Sequence, residues 1–313
     1  MNKRKLLLNL TLLFLLVFLV GSVYQRPFNE RIIIIEQGMN TKEIAYLLKE
    51  DQLISSPYLF MAYAALKDDA GKLRPGCYDL NTNMGWGGML EKISRGDTYG
   101  VKVTIPEGFN SWQIANLLAN RRLVNKNVFL RLVREKDLEG YLYPATYAVV
   151  PGARAEEIVQ MMVEKFNNVF GDDLLKRSQK LNMTQRQVLT LASLIEREAK
   201  LEGEKPEISA VFHNRLQKKW LLESCATVQY ALGKNKQTLS YNDLKIRSPY
   251  NTYIHPGLPP GPICNPSSSS IKAALYPASS DKLFFIAEGD GTHKFSKYYR
   301  EHLQEKSRLH KKS

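Results

Sequence analysis

The N-terminal end of the chain most limits what the chain can fold into. Asn2-Lys3-Arg4-Lys5 precedes Leu6 to Val23, eighteen residues without a charge. As a helix at about 1.5 Å per residue, such a run spans roughly 27 Å, close to the hydrocarbon core of a bilayer. The basic residues before it predict a cytoplasmic tail (1–5), a transmembrane helix (6–24) and a body outside the cytoplasm. A signal peptide cleaved near Val20-Gly21-Ser22 is the alternative.

The charge of the chain indicates anionic partners. No second apolar run of that length occurs, and the 313 residues carry a net charge of +13. A positive net charge of this size favours contact with anionic lipid or anionic polymers. Nucleic acid is the usual alternative, but the predicted export and the lack of a zinc, helix-turn-helix or RNP-type signature argue against it.

A pattern of strand, glycine turn and helix occurs twice. Ile33–Gly38 with Thr41–Leu48 is repeated seventy residues later by Val103–Gly108 with Ser111–Leu118. The pattern predicts two related units, 32–60 and 102–130, whose helices have Thr41 and Ser111 as N-caps. One unit is too small to bury its own apolar face. We therefore expect the copies to pack on each other or on segment 73–96, which reads as a hairpin or as a strand followed by a helix.

The stretch Leu189–Glu198 predicts an amphipathic helix that begins at the capping box Thr184–Gln187. Glu196 falls beside its apolar stripe, where partial desolvation favours the protonated form that a general acid requires. A surface ion pair with Lys200 is the alternative. Glu198 lies about 160° further around the helix, so an ion pair of structural importance is its expected role.

Three later motifs follow this helix: Val211–Leu216, Leu222–Tyr230, and the run from Ser248 to Pro266 that contains Tyr-Asn-Thr-Tyr and Gly-Leu-Pro-Pro-Gly-Pro-Ile. In this order they resemble the endolytic murein transglycosylases, the YceG-like family. The resemblance implies an α+β fold with an N-terminal transmembrane helix. It further implies a LysM-like region (32–140), a YceG-like catalytic domain (141–305) and a basic tail (306–313). LysM-like units imply glycan binding, with a spacer as the alternative.

The resemblance implies that Glu196 is the catalytic residue of a lytic transglycosylase without a cofactor. Such an enzyme cuts the MurNAc-β-1,4-GlcNAc bond of nascent strands and leaves 1,6-anhydroMurNAc ends, so that it limits strand length. A single carboxylate suffices because the C6 hydroxyl of the sugar is the nucleophile. A non-catalytic wall-binding scaffold and a hydrolase of the same bond remain alternatives. Glycan strands, the membrane and a peptidoglycan synthase are the expected partners, and nucleic acid is not.

Polar residues of these motifs are the substrate-binding candidates: Asn214, Gln229, Tyr250, Asn251, Thr252, Tyr253 and His255. No metal site is expected, since His255 and His293 lack a third ligand at useful spacing.

Two positions depart from the family pattern. Cys225-Ala226 stands where many members have Asp-Pro, and Ala145 stands where Asp is usual. The resemblance places Cys225 and Cys264 near the cleft, and we expect them to lie close enough to form a disulfide, with Cys77 free. Two unpaired small hydrophobes are the alternative.

Overall fold

The structure, a computed structural model, describes residues 28–310 except 37, 70, 151, 235, 237 and 238. The described residues divide into two compact units, one that ends at Val101 and one that begins at Lys102. The predicted cytoplasmic tail and transmembrane helix lie outside the described residues. Within the described ranges, no helix has both the length and the apolar character needed to cross a bilayer. Helices and short strands occur in both units, which confirms the α+β class.

The first unit is built on a two-stranded antiparallel sheet, in which Ile33 is the register partner of Tyr78. Ile33 and Ile35 point into the core while Ile32 and Ile34 are exposed, as the two-residue period of a strand requires. The segment 73–96 forms a strand followed by a helix, one of the two predicted options. The elements are β1 (Glu30–Ile35), α1 (Thr41–Glu50), α2 (Pro57–Leu66), β2 (Gly76–Asn81), a 3-10 turn (Thr82–Met84) and α3 (Gly85–Arg95).

Both copies of the predicted repeat contain more elements than the sequence pattern indicated. The second copy comprises β3 (Val101–Thr104), α4 (Ser111–Asn120), α5 (Lys126–Glu135) and β4 (Thr146–Val149). Each copy therefore has the order strand, helix, helix, strand, and in each the two strands pair.

The predicted N-caps of the two repeats are wrong by one residue. Asn40 caps α1 and Asn110 caps α4, each in a reciprocal capping box with Glu43 or Gln113. Thr41 and Ser111 are instead the first residues of their helices, because the reciprocal bond needs a Glu or Gln three residues after the cap.

The rest of the second unit surrounds one central helix, α8. Its residues from Val188 to Ile195 are all buried, including Thr190 and Ser193. The elements are α6 (Ala155–Val169), α7 (Asp172–Lys180), α8 (Gln185–Glu198), a 3-10 turn (Glu202–Glu204), α9 (Lys205–Gln217), α10 (Cys225–Leu232), a 3-10 turn (Asp243–Lys245), α11 (Ser268–Leu275), β5 (Phe284–Ala287), β6 (His293–Ser296) and α12 (Tyr299–His310). The predicted capping box at Thr184 is confirmed, and α9 begins at Lys205 with Pro206 in its first turn.

Two boundaries differ from the sequence expectation. The second repeat copy belongs to the same compact unit as α8, although we expected a boundary after residue 140. The extent of the catalytic domain stays a prediction. Residues 306–310 continue α12 instead of forming a tail, since Arg308 bonds Glu288 at 2.5 Å and Glu305 at 2.7 Å.

Candidate functional site

Glu196 lies at the C-terminal end of α8 with only 9% of its side chain exposed. Its Oε2 accepts hydrogen bonds from the Ser267 backbone N–H (3.0 Å), the Ser267 hydroxyl (2.5 Å) and the Ser270 hydroxyl (2.6 Å). The Lys205 ammonium is 3.6 Å from the same oxygen. Thus Glu196 is not in a surface pair with Lys200, and its surroundings are polar on the Oε2 side.

The donors around Glu196 belong to the start of a helix. Ser267 is the N-cap of α11, and Ser270 is in the first turn. A helix N-terminus carries a partial positive charge that stabilises a nearby carboxylate. Lys205, buried to 4% exposure, adds a full positive charge and is itself held by Glu202, Ser267 and Ser269. The carboxylate is therefore fixed through Oε2 in a site that tolerates its negative charge.

The second repeat copy forms a wall beside Glu196. Gly108 has φ +73°, and a Cβ on it would lie 3.6 Å from Glu196 Cγ and 3.9 Å from Arg197 Cδ. Partial burial and the neighbouring Glu196 carboxylate raise the pKa of Glu107, the residue before this glycine. A second carboxylate thus lies within electrostatic range of Glu196, which the sequence analysis did not anticipate.

Glu198 has a role other than the expected ion pair. Its Oε1 accepts the Ser224 hydroxyl at 2.5 Å, and the carboxylate also accepts the backbone N–H of Ala226 in the first turn of α10. Burial raises the pKa of Glu198 against these hydrogen bonds. Helix α8 therefore places two carboxylates at the N-termini of two different helices, Glu196 at α11 and Glu198 at α10. The two side chains do not share one site.

Asn265 joins the wall to the core. Its backbone N–H donates to Phe109 O (2.9 Å), and its carbonyl accepts from Gly108 N (3.0 Å). Its side-chain Oδ1 accepts from Leu142 N (2.8 Å), and its Nδ2 donates to Phe109 O (2.9 Å) and to Glu139 Oε1 (3.2 Å). Because both ends of the amide and both backbone groups are bonded, the position of the Gly108 turn is strongly determined.

Glu139 is a titratable group that sequence reasoning missed. It accepts the backbone N–H of Ser111 at 3.0 Å and the Ser111 hydroxyl at 2.7 Å. Burial raises its pKa to about 7, although the bonds from Ser111 and Asn265 act in the opposite direction. The next residue, Gly140 (φ +89°), has Pro262 where a Cβ would stand, which explains a glycine there.

The Tyr250–Tyr253 loop uses most of its polar groups inside the protein. Asn251 is fully buried, and its amide donates to Leu244 O and Ile246 O, both at 2.9 Å. Thr252 is also buried, and its hydroxyl accepts the backbone N–H of Ser224 at 3.0 Å. The loop thus holds the start of α10. For these two residues, substrate contact stays a prediction that the observed contacts do not favour.

The other candidates are spread over the unit. The Asn214 amide donates to Ser280 O (2.8 Å) and Lys282 O (2.9 Å), so it fixes a loop. Tyr250 packs against Tyr230 with ring centroids 4.9 Å apart and ring planes tilted by 48°. His255 is exposed.

Two candidates lie nearer to α10. The Tyr253 hydroxyl is 3.1 Å from Cys225 Sγ. Gln229 lines a cleft next to Gly108 and Arg197. Gln229 is therefore the predicted binding residue that the structure places beside the Glu196 region.

The expected disulfide is absent. All three cysteines lie in the described part of the chain and are free thiols. Cys225 is exposed beside Tyr253, whereas Cys264 is buried with its Sγ 3.4 Å from Ser193 O. The two side chains point to different surroundings, one to the surface and one to the core, and this separates the thiols.

Of the residues that sequence reasoning missed, some left a signal. Serines before an apolar stretch typically cap a helix, and the run Ser267–Ser270 before Ile271 is such a pattern. Lys205 and Arg197 left none, since a basic residue near a helix end usually faces solvent.

Comparison with known proteins gives consistent matches over most of the chain. A family model described as the YceG-like family matches residues 33–308. An endolytic murein transglycosylase of Bacillus subtilis is 34% identical over 301 residues, which cover 88% of this chain and 83% of that protein. One from Streptococcus pneumoniae is 29% identical, covering 81% of this chain and 53% of the relative. The crystal structure of a YceG-like protein from Listeria monocytogenes matches with TM-score 0.60 and 32% identity, covering 89% of this chain and 99% of that one.

Proposed function

The chain belongs to the YceG-like family, and from that premise and the contacts of Glu196 we propose that it is an endolytic murein transglycosylase. It would cut nascent glycan at the MurNAc-β-1,4-GlcNAc bond, leave 1,6-anhydroMurNAc ends and so limit strand length. The observation that carries this proposal is the anchoring of the Glu196 carboxylate through one oxygen only.

All the described hydrogen bonds to this carboxylate go to Oε2. Because Oε2 is occupied by donors, a proton on Glu196 is carried by Oε1. One fixed oxygen and one that carries a transferable proton are what a general acid needs.

In the proposed reaction, Oε1 gives its proton to the glycosidic oxygen as the bond from that oxygen to C1 of MurNAc breaks. The carboxylate that remains is stabilised by the N-terminus of α11 and by Lys205. It then accepts the proton of the C6 hydroxyl while O6 bonds to C1 and closes the anhydro ring. The proton returns to Oε1, and no water is consumed.

The hydrolase alternative has one specific observation in its favour. Glycosidases that use water generally need two carboxylates around the bond, and Glu107 is electrostatically coupled to Glu196. Hydrolysis would leave reducing ends, which are heavier by one water than anhydro ends. Product mass therefore separates the two reactions.

The test uses the full-length protein with nascent glycan and mass spectrometry of the products. Glu196→Gln should abolish cleavage because the amide keeps the shape but has no transferable proton. The matched control is Glu198→Gln on the same helix, which should retain cleavage with anhydro ends. Equal yield from Glu196→Gln and the parent would refute the role of Glu196. If the parent produces reducing ends and the Glu107→Gln variant does not, the enzyme is a hydrolase.

The cellular setting is part of the same proposal. We place the body outside the cytoplasm and anchor it by residues 6–24, in contact with a peptidoglycan synthase. The LysM-like copies would hold glycan strands. Protease added to spheroplasts should then digest the body, and carbonate washing should leave the protein in the membrane; release by carbonate would favour a cleaved signal peptide.

A further inference from the structure

A polar cleft that is open to solvent lies in the second unit beside Glu196. Gly108 links the two places, since it lines the cleft and its Cβ position is 3.6 Å from Glu196 Cγ. Arg197, the next residue on α8, also lines the cleft. A glycan whose scissile bond meets Glu196 would therefore have a neighbouring substituent within reach of this cleft.

Among the described residues that line the cleft, the two with charged side chains, Arg197 and Lys234, are both cations. Glu107, Glu196 and Glu198 do not line it. A guanidinium and an ammonium both attract a carboxylate by their positive charge. The electrostatics of the cleft thus favour an anionic group.

The amides of the cleft add further donors and one acceptor. Asn110 and Gln113 use their carbonyl oxygens in the capping box of α4. Within the described residues, their NH₂ groups have no protein partner. Gln229 is the reverse case, because its Nε2 donates to Lys236 O at 3.0 Å and its carbonyl oxygen remains to accept. The cleft therefore offers donors for a carboxylate or carbonyl and an acceptor for an amide N–H.

An aromatic surface completes the cleft. Trp112 is 56% exposed, and the Lys126 ammonium lies 4.5 Å from the centroid of its ring. An exposed indole is suited to the apolar face of a sugar ring or to an alkyl side chain.

We infer that this cleft is a subsite for a carboxylate carried on the O3 substituent of muramic acid. The inference rests on the proposed function, because that function brings muramic acid to Glu196. Two sources share this chemistry. The carboxylates of the peptide stem are one, and the lactyl carboxylate, exposed when the stem has been removed, is the other. A neutral N-acetylglucosamine chain has neither.

The experiment measures binding by calorimetry with full-length Glu196→Gln protein, so that no ligand is cleaved. The probes are a GlcNAc–MurNAc tetrasaccharide with pentapeptide stems, the same sugar with the stems removed, and chitotetraose. Each is titrated into the background protein and into a variant that also carries Arg197→Gln and Lys234→Gln. The control carries Lys180→Gln instead, at an exposed lysine on α7 outside the cleft.

We expect the double substitution to raise Kd by at least about tenfold for a carboxylate-bearing probe, because both positive charges that attract the carboxylate are removed. Binding of chitotetraose and the Lys180→Gln control should not change. Weakening of the stem-bearing probe alone identifies the stem as the source, and weakening of the stem-free probe identifies the lactyl group. Equal weakening of chitotetraose, or no weakening of any probe, would overturn the inference.

Two checks keep the outcome decisive. The single variant Lys234→Gln changes an exposed residue just after α10 and replaces the double variant if that one does not fold. It should also raise Kd for a carboxylate-bearing probe. Cleavage is measured separately in the parent. If the parent cuts no glycan, the proposed function fails, while the difference in Kd between the probes still decides whether the cleft selects carboxylates.

Discussion

The buried carboxyl of Glu139 makes the stability of the second unit depend on pH. Burial raises its pKa to about 7 from the ordinary value of 4.5. Below pH 4.5 the group is protonated in both the folded and the unfolded chain, and its contribution to stability is complete. As the pH rises towards 7 the unfolded chain releases the proton first, so the free energy of unfolding falls. Above pH 7 the loss is complete.

The size of the effect follows from the shift. Each pKa unit corresponds to about 1.4 kcal/mol, so a shift from 4.5 to about 7 is worth at most about 3 kcal/mol. Glu139→Gln removes the titration. Its carbonyl oxygen can still accept from Ser111 N and Asn265 Nδ2, and its NH₂ group can donate to the Ser111 hydroxyl. The variant should therefore gain up to about 3 kcal/mol over the parent between about pH 4 and about pH 8.

The assay is urea unfolding of parent and variant at both pH values. Glu157→Gln is the control of opposite sign. The hydrogen bond from Arg154 lowers the pKa of Glu157, so its stabilisation is present above the unfolded value and is lost as the pH falls. A difference between Glu139→Gln and the parent that is the same at both pH values would refute the argument.

Three further outcomes are expected. Ser270→Ala removes a hydroxyl that donates to Glu196 and should lower kcat about tenfold or more. The control Ser268→Ala, in the same helical turn, should leave kcat unchanged. Gly108→Ala places a Cβ on a residue with φ +73° and should cost about 1–2 kcal/mol of stability, measured by urea unfolding. The variant should release the same kind of glycan ends as the parent. Cys225 should react with a maleimide in the folded protein while Cys264 should not, and a non-reducing gel should show no bridge between them; protection of Cys225 would contradict this arrangement.

The starts of helices were largely predictable because they depend on neighbours in sequence. The capping box formed by Thr184 and Gln187 was predicted correctly. At Asn40-Thr41 two good capping residues are adjacent, and side-chain preference alone does not separate them. The position of Glu43, three residues after Asn40, does, and a stricter use of the capping box would have found it.

The candidate site was predictable in its central residue but not in its surroundings. Glu196 was identified from its helix and motif, yet its anchor at Ser267 is 71 residues away in sequence. The loop containing Asn251 and Thr252 was interpreted as a binding surface because its amide, hydroxyl and ring groups suit an N-acetyl sugar. The same residue types also satisfy buried backbone groups, and only the packing shows which use applies.

The five hydrogen bonds of Asn265 determine how much chain an isolated fragment must contain. Four of them go to Gly108, Phe109 and Glu139, upstream of the boundary suggested by the motifs, and only the bond from Leu142 lies inside that boundary. A fragment starting at residue 141 would leave Asn265 with unpaired amide and backbone groups and would lack one side of the cleft. The smallest fragment that folds should therefore start near Lys102, so one copy of the duplicated unit has become inseparable from the part of the chain that carries Glu196.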